Sequence, residues 1–341
     1  MFFINSMLNF PNSLISKTNE DIMKIKFLII LVLSLVLANC SAKTSSVNIP
    51  KKNDKTTKKH STVSPMKTIS SWAYLLQNPP IASLAESPYN LIVTDYSQDG
   101  SDKKRFSSKQ IEMLHKFNKT VLCYFSIGEA EEYRFYWNKG WKKNPPKFIG
   151  PENEDWAGNY KVKYWREDWW QTGLRPYLDR IIEAGFDGVY LDIVDAYWFW
   201  HEQGMEVQHT ADEMVKLIKR IADYCRKRAG QNFIICPQNG LGVFESCSPE
   251  YKKVYFQIVN MVGLESLLFN IYSKEDRNYR LKLCKELADA GKIILDVEYI
   301  DEKQYENYLN QVNKLDFKLI PYASTPDAAL DKLSDFYKYR Q

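Results

Sequence analysis

From residue 69 onward, short apolar runs alternate with longer amphipathic stretches. The short runs have the length of buried strands, whereas the longer stretches repeat apolar residues with the period of a helix. The predicted strands are Trp72–Leu76, Leu91–Tyr96, Val121–Ile127, Gly188–Ile193, Phe233–Pro237, Val259–Leu264, Ile293–Val297 and Leu319–Ala323. The predicted helices are Ser108–Asn118, Trp169–Ala184, Thr210–Ala229, Tyr279–Ala290, Glu302–Lys314 and, after a Ser-Thr-Pro start signal, Asp327–Tyr339.

This order of elements predicts an α/β protein. Strand, helix and strand in succession indicate parallel pairing through right-handed crossovers. Eight strands spread over roughly 270 residues match a closed (β/α)8 TIM barrel in number and size. The alternative is a doubly wound open sheet, but no Gly-rich phosphate loop follows any predicted strand. We therefore expect one (β/α)8 domain over residues 69–341.

The stretch between the third and fourth strands is irregular. Residues 129–168 are rich in aromatic residues, with Gly and Pro interspersed. A loop of this length inside a compact domain is uncommon and often functional. In a barrel it would lie over the face formed by the C-terminal ends of the strands.

The N-terminal segment has the pattern of an export signal. A short basic stretch after Met23 precedes the apolar run Phe27–Ala38, which is too short for a membrane span of about 20 residues. Leu37–Cys40 resembles a bacterial lipobox, in which Cys40 is lipidated and becomes the first residue of the mature chain. An uncleaved signal anchor is the alternative.

These features predict four segments along the chain. We expect residues 1–22 to precede the translation start, residues 23–40 to be a lipoprotein-type signal peptide, and residues 41–68 to be a disordered tether rich in Lys, Ser and Thr. Residues 69–341 would then form the folded domain of an exported lipoprotein. Its lipid anchor would hold it in the membrane of a bacterial cell envelope, at the outer membrane or the cell surface.

Net charge argues against a nucleic-acid partner. The chain has a formal net charge of +4, but ten Lys against three acidic residues give residues 1–68 a net charge of +7. The remaining residues 69–341 therefore carry −3. A mildly acidic domain lacks the basic surface that nucleic-acid binding requires.

Cysteine and histidine spacing predicts neither a metal site nor a cofactor. The sequence has no Cys-x-x-Cys, His-Glu-x-x-His or Asp-rich calcium loop. Five cysteines remain besides Cys40, and we expect most of them to be buried small hydrophobic residues. One disulfide is compatible with export, but the spacing does not select a pair. The five are Cys123, Cys225, Cys236, Cys247 and Cys284.

Acidic residues gather where the predicted strands end. Because the C-terminal ends of all barrel strands meet at one mouth, where active sites of this fold lie, these side chains are candidate site residues. They are Asp95 after the second strand, Glu129 and Glu131 after the third, Asp192 and Asp195 at the fourth, Glu265 at the sixth, and Asp296 and Glu298 at the seventh.

Alternation along the strands sharpens this set. Val189 and Leu191 are expected to face the helices, which turns Asp192 into the barrel. The same argument turns Glu265 inward in the sixth strand. In the seventh strand it turns Asp296 and Glu298 inward, opposite Leu295 and Val297.

Several carboxyl groups in one partly desolvated pocket repel each other, and at least one pKa rises. Glycoside cleavage uses such a pair, since one carboxyl group donates a proton while the other attacks or activates water. Nearby aromatic rings such as Tyr197, which follows the fourth strand, can stack on sugar faces. The alternative is that these Asp and Glu residues cap helices or pair with Lys and Arg.

Three motifs resemble glycoside hydrolase family 114, whose members are described as endo-α-1,4-polygalactosaminidases. They are Tyr124–Glu131 (YFSIGEAE), Gly158–Trp165 (GNYKVKYW) and Gly185–Asp195 (GFDGVYLDIVD), within a resemblance that spans roughly residues 70–325. The resemblance implies a (β/α)8 barrel that hydrolyses galactosamine-containing α-1,4 chains. It maps the catalytic aspartate to Asp192 and the catalytic glutamate to Glu265.

On this basis we assign Asp192 as nucleophile and Glu265 as general acid/base. The expected partner is a polysaccharide substrate, in particular a cationic aminosugar polymer, which an anionic mouth would attract. Two other readings stay open: a surface lipoprotein that binds polysaccharide without cleaving it, and a structural envelope protein. The candidate substrate-binding residues are Asp95, Tyr124, Glu129, Glu131, Trp165, Asp195, Tyr197, Asn239, Asp296 and Glu298.

Overall fold

Eight buried strands form the wall of the domain. The computed structural model describes residues 69–339, so the predicted signal peptide, Cys40 and the tether lie outside the described residues. The barrel strands are β1 (Trp72–Leu75), β2 (Leu91–Thr94), β3 (Thr120–Ser126), β7 (Gly188–Asp192), β8 (Ile234–Pro237), β9 (Met261–Glu265), β10 (Ile293–Tyr299) and β11 (Leu319–Ser324). Between β3 and β7 lie β4 (Glu129–Glu131), β5 (Ile149–Glu152) and β6 (Asn159–Val162).

The barrel strands pair in parallel and in chain order. One sheet runs β1-β2-β3-β7-β8 and the other β9-β10-β11. A parallel bridge between Gln238 and Gly263 joins the two sheets. At the seam between β1 and β11, the indole N–H of Trp72 donates to the carbonyl oxygen of Ile320 at 2.9 Å. The predicted (β/α)8 barrel is confirmed.

Amphipathic helices surround the strands. The long helix Val207–Ala229 buries one face that includes Met214, Ile218 and Ile221. The helix Arg175–Ala184, α3 below, ends at Gly185 in a left-handed conformation (φ 89°). A helical turn at Glu167–Trp169 and a π-helical turn at Trp170–Leu174 precede α3. The helices are α1 (Ile81–Glu86), α2 (Ser108–Lys116), α3 (Arg175–Ala184), α4 (Ala196–Glu202), α5 (Val207–Ala229), α6 (Val243–Ser246), α7 (Pro249–Ile258), α8 (Lys274–Asp289) and α9 (Tyr305–Val312).

Aromatic side chains fill the barrel interior. The rings of Tyr74 and Tyr190 lie 5.3 Å apart, and Trp72 packs against both. A Cβ atom at Gly263 would lie 2.0 Å from the hydroxyl oxygen of Tyr190. Residue 263 must therefore be glycine for Tyr190 to occupy this space.

Two predictions about elements were wrong. The predicted helix Asp327–Tyr339 does not form, because Asp327 Oδ1 accepts the Thr325 hydroxyl and the Ala329 N–H, and the carbonyl oxygen of Leu330 accepts two N–H groups after β1. A 3₁₀ turn at Phe336–Tyr339 follows instead. The irregular stretch 129–168 contains the antiparallel sheet β4-β6-β5.

Most of the five cysteines in the domain were predicted to be buried small residues, and in the structure all five are buried and unpaired. Among the residues from 69 to 339, no helix is both long and apolar enough to cross a bilayer. Within the same range, no group of three or more His, Cys, Asp and Glu side chains is arranged to hold a metal ion.

Candidate active site

The carboxyl groups of Asp192 and Glu265 open into the same end of the barrel. Tyr190 on β7 and Gly263 on β9 face each other across the interior. Asp192 and Glu265 each follow two residues later on the same strand, and residues two apart on a strand point to the same side. Both side chains therefore leave the barrel wall at one level, at the C-terminal mouth. This placement agrees with the sequence prediction.

Asp192 is held by two donors. The hydroxyl of Tyr124 donates to Oδ2 at 2.6 Å, and the backbone N–H of Ile193 donates to Oδ1 at 2.8 Å. The side chain is almost buried, with 8% of the residue exposed. Burial raises the pKa of Asp192 well above its ordinary value, and the negative charge of Glu265 raises it further, although both donors act in the opposite direction.

Glu265 is half-buried and held from three sides. The side-chain amide of Asn239 donates to Oε2 at 2.9 Å, and the hydroxyl of Tyr299 donates to Oε1. Asn239 Oδ1 also accepts the backbone N–H of Glu265 at 3.2 Å. The guanidinium group of Arg280 on α8 donates to the backbone carbonyl of Glu265 at 2.7 Å. Asn239 thus positions Glu265, which is a more specific role than the predicted contact with substrate.

The backbone is strained next to both carboxylates. Ile193 follows Asp192 with φ 59°, and Ser266 follows Glu265 with φ 52°. A left-handed conformation is costly for a β-branched residue, and strain of this kind concentrates at functional sites, at about 1–3 kcal/mol for each residue. Asn239, which binds Glu265, has φ 52° as well.

Tyr74 from β1 lies within reach of both charges. Burial raises its pKa well above the ordinary value, and the negative charges of Glu265 and Asp192 raise it further. Its hydroxyl donates to Oε1 of Gln238 at 3.2 Å. Tyr74 therefore remains protonated, and because its proton is donated to Gln238, its hydroxyl oxygen is available as an acceptor near the two carboxylates.

Asp195 lies on the rim of the same mouth. It is partly exposed, and burial raises its pKa, while the positive charge of Lys161 lowers it. The ammonium group of Lys161 on β6 also binds Oε1 of Glu129, and Asn153 donates to the same oxygen at 2.8 Å. The prediction that Glu129 faces the substrate is wrong, because this residue is 1% exposed and its carboxylate is bound by residues of the inserted sheet.

Asp95 and Glu131 are also sequestered. Arg134 forms ion pairs with Oδ2 of Asp95 and with Oε2 of Glu131, both at 2.7 Å. The exposed fractions of Asp95, Glu131 and Arg134 are 5%, 1% and 3%. The prediction that these two carboxylates line an open mouth is wrong, because both are buried and both are bound by the same buried guanidinium group.

Asp296 and Glu298 lie on the opposite side of β10 from the mouth. Val297 pairs with Glu265 in the ladder, and Tyr299 binds Glu265, so the odd-numbered residues of β10 face inward. Asp296 accepts the hydroxyl of Tyr308 on α9 at 2.7 Å. The predicted alternation was wrong for this strand. Both faces of β10 are buried, so the sequence pattern does not indicate which face points into the barrel.

Besides Tyr124, two aromatic residues were predicted to bind substrate, and both pack against neighbouring side chains. The ring of Trp165 packs edge-on against Tyr164 and Trp200 at 5.0 and 5.4 Å. Tyr197 is 5% exposed, and its hydroxyl binds Ser246 on α6. The prediction that Tyr197 lines the mouth is wrong, because its ring is buried. Trp165 is half-buried, and its contact with substrate stays a prediction.

Sequence reasoning missed several residues of the site. Correct alternation along β1 and β10 would have placed Tyr74 and Tyr299 on the inner side of the barrel. On β10 the acidic residues were instead assigned to the inner side, which turned Tyr299 outward. Lys161 and Arg280 left no local signal, because their partners lie 32 and 15 residues away. Arg134 has one partner three residues away, Glu131, but its pairing with Asp95 spans 39 residues.

Two hydrogen-bonded carboxyl groups at one mouth, with one pKa raised by burial and by mutual repulsion, can carry out general acid and base or nucleophilic chemistry. The raised pKa of Asp192 suits reactions in which a carboxyl group exchanges a proton. The hydroxyl groups of Tyr124 and Tyr299 add uncharged hydrogen-bonding groups beside the two carboxyl groups.

Residues 52–336 match the model of glycoside-hydrolase family GH114. The chain is 41% identical over 280 residues to the uncharacterized protein MJ1477 of Methanocaldococcus jannaschii, covering 78% of each chain. It is 32% identical over 273 residues to an uncharacterized protein of Thermotoga maritima, covering 77% of this chain and 83% of that one.

Solved structures are similar in fold. The glycoside hydrolase domain of PelA from Pseudomonas aeruginosa superposes with a TM-score of 0.59 at 15% identity, over 77% of this chain and 97% of that chain. Aspergillus fumigatus Ega3, solved in complex with galactosamine, gives a TM-score of 0.57 at 16% identity, over 81% and 97%. The match of the family model to most of the sequence shows that the chain belongs to glycoside hydrolase family GH114.

Proposed function

We propose that this protein hydrolyses an α-linked, galactosamine-containing polysaccharide, as an endo-α-1,4-polygalactosaminidase does, with Asp192 and Glu265 as its catalytic carboxyl groups. The observation that carries the proposal is that both side chains leave β7 and β9 at one level of the barrel mouth. Family membership supports the reaction class, and the galactosamine in the Ega3 structure supports the sugar.

In the proposed mechanism, Asp192 attacks the anomeric carbon while Glu265 donates its proton to the leaving glycosidic oxygen. Glu265 then takes a proton from the water that releases the sugar from Asp192. Tyr124 and the Ile193 N–H hold the attacking carboxylate, and Asn239 and Tyr299 hold the acid. Strain at Ile193 and Ser266 fixes the direction in which both side chains leave the backbone.

The charge of an aminosugar solves a difficulty in this mechanism. Burial and Glu265 raise the pKa of Asp192 in the free enzyme, so the attacking group tends to hold a proton. The ammonium group of a galactosamine residue would place a positive charge at the mouth and lower that pKa. A cationic substrate would thus favour the ionised form of Asp192, whereas an N-acetylated sugar would not.

This proposal is tested by measuring product release from polysaccharides that differ in acetylation. We expect release of oligosaccharides from partly deacetylated α-1,4-galactosamine chains, and at least about tenfold slower release from the fully N-acetylated polymer. Uncharged α-glucans serve as the control. If the protein binds a polymer but releases oligosaccharides from none of them, it would instead be a polysaccharide-binding protein. Equal rates on both galactosamine polymers would contradict the role of the ammonium group.

We also propose that Cys40 anchors the protein in the membrane of the cell envelope, on the basis of the lipobox-like Leu37–Cys40. The test is metabolic labelling with a fatty-acid analogue. Cys40→Ser should lose the label and leave the membrane fraction, with Cys247→Ser as the control because Cys247 is buried in the domain. An unlabelled wild-type chain, or a Cys40→Ser chain that keeps the label, would contradict the anchor.

A further inference from the structure

Asp296 and Glu298 form a buried acid pair behind the sheet. Both residues are 0% exposed and point from β10 towards α8 and α9. Glu298 Oε1 accepts the backbone N–H groups of Leu268 and Phe269, at 2.6 and 3.1 Å. Asp296 Oδ2 accepts the hydroxyl of Tyr308. Each acid therefore uses one oxygen to bind a neighbouring element.

The other two oxygens meet each other. Within the described residues, Asp296 Oδ1 and Glu298 Oε2 are both buried, and neither accepts a hydrogen bond of ordinary geometry. The Asp296 carboxyl group lies within hydrogen-bonding reach of the Glu298 carboxyl group and of the Leu267 backbone N–H. Two carboxylate oxygens are both acceptors, so this contact requires a proton between them. Burial raises the pKa of Asp296 to about 6 and that of Glu298 well above its ordinary value.

The surroundings favour a single shared proton. The titratable and charged groups that face the pair are Arg280 and Cys284 on α8 and Tyr308 on α9. Arg280 is the cation among them and lowers both pKa values, so it stabilises one negative charge on the pair. A second negative charge would be repelled by the first in a site without water contact.

This acid pair is connected to the catalytic glutamate. The loop that begins after Glu265 is held by the Glu298 carboxylate at Leu268 and Phe269. Arg280 holds the start of the same loop through the carbonyl oxygens of Glu265 and Ser266, at 2.7 and 3.0 Å. The N–H of Ser266 donates to the carbonyl oxygen of Val297 at 3.0 Å. A displacement of Glu298 would therefore be transmitted to Glu265.

We propose that Asp296 and Glu298 are positioning residues which, through a shared proton, hold the loop after Glu265 in its active geometry, so that loss of this proton reduces hydrolysis at alkaline pH. The inference rests on the proposed function for its effect on activity. When both groups are ionised, Glu298 moves away from Asp296, the N–H groups of Leu268 and Phe269 lose their acceptor, and Glu265 is no longer held.

The decisive variant is Glu298→Gln. Its side-chain oxygen can still accept the two loop N–H groups, while its amide N–H can donate to Asp296 Oδ1 without a titratable proton. Asp296→Asn makes the reciprocal change and serves as the second variant. Glu306→Gln, on the exposed side of α9, removes one negative charge without touching the pair and is the matched control.

Two readouts follow each protein between pH 5 and 9. In the wild type and Glu306→Gln, the backbone amide NMR signals of Leu268 and Phe269 should shift with pH, and kcat should fall at alkaline pH. In Glu298→Gln those signals should stay constant, kcat should remain within about twofold of the wild type at pH 6, and more of it should be retained at pH 9. Glu298→Ala, which removes the acceptor, should lower kcat throughout the range.

The readouts separate this inference from the proposed function. Amide signals that titrate identically in the wild type, Glu298→Gln and Asp296→Asn would overturn the shared proton. If the amide signals titrate only in the wild type and Glu306→Gln, but the pH profile of kcat is the same in all variants, the positioning role would be overturned. A wild-type protein that hydrolyses no polysaccharide would contradict the proposed function, while the amide signals would still decide whether the acid pair holds the loop.

Discussion

The Tyr124 hydroxyl is the side-chain donor that stabilises the ionised form of Asp192. Tyr124→Phe removes this hydrogen bond, so the pKa of Asp192 should rise further above its ordinary value. If the ionised form attacks, the acid limb of the pH profile of kcat/KM should move to higher pH. We expect kcat/KM near pH 6 to fall by about tenfold, because a hydrogen bond to a charged group contributes about 1.5–3 kcal/mol.

The matched control is Tyr272→Phe, which removes a hydroxyl from a side chain that is 52% exposed. Its pH profile should coincide with that of the wild type. An acid limb that stays in place in Tyr124→Phe would show that Tyr124 does not govern the ionisation of the group that limits catalysis. A shift to lower pH would contradict the assigned sign.

At the scale of single residues, the sequence predicted the positions that end a strand but only some of their contacts. Asp192 and Glu265 could be predicted because each follows alternating apolar residues whose outward direction is clear. Asn239 and Tyr124 were predicted to contact substrate, and in the structure they hydrogen-bond Glu265 and Asp192. Tyr299 was missed because the inward side of β10 was assigned to its even-numbered residues. Arg280 was missed because it reaches the carbonyl oxygen of Glu265, 15 residues away, through packing.

At the scale of elements, Arg134 ties the end of β2 to β4. Arg134→Met leaves Asp95 and Glu131 buried without a cation, and breaking a buried ion pair in this way costs about 3–5 kcal/mol. The pKa of Asp95, about 6 with Arg134 present, should rise because Arg134 lowers it. The folded state then binds a proton that the unfolded state releases, so the variant should lose stability as pH rises from about 4.

The measurement is urea denaturation of Arg134→Met at pH 5 and pH 8. The control is Arg105→Met, whose guanidinium group is half-exposed and lies 3.8 Å from Asp102. We expect the control to remain within about 1 kcal/mol of the wild type at both pH values. Equal destabilisation of Arg134→Met at pH 5 and 8 would show that unpaired carboxylates are not the cause.

The apolar pattern predicted where the barrel strands lie. It did not predict which side chains of β10 face the barrel interior, and it predicted a final helix that does not form. In β10 the side facing the helices is closed by Tyr308 and Arg280, so the usual separation of apolar and polar sides is absent. After β11, Asp327 uses its carboxylate to form a turn, and Ala328 and Leu330 adopt positive φ angles of 51°. Such local hydrogen bonds compete with a helix in a way that periodicity does not reveal.

At the scale of the whole molecule, the barrel could be predicted because its eight strands are short, apolar and regularly separated by helices. The inserted sheet could not, because β4 has three residues and β5 contains Gly and Pro. The sheet nevertheless shapes the mouth, since Lys161 and Asn153 bind Glu129 beside Asp195. The barrel sets where the two carboxyl groups emerge, and the insertion sets which other charges reach them.

The most direct test of the central claim is to measure hydrolysis and binding of partly deacetylated α-1,4-galactosamine polymer by Asp192→Asn and Glu265→Gln. Each substitution keeps the shape of the side chain, so we expect polymer affinity within about fivefold of the wild type and turnover reduced by at least about a thousandfold. Near-normal turnover in either variant would contradict the account, because that carboxyl group would then not take part in the reaction.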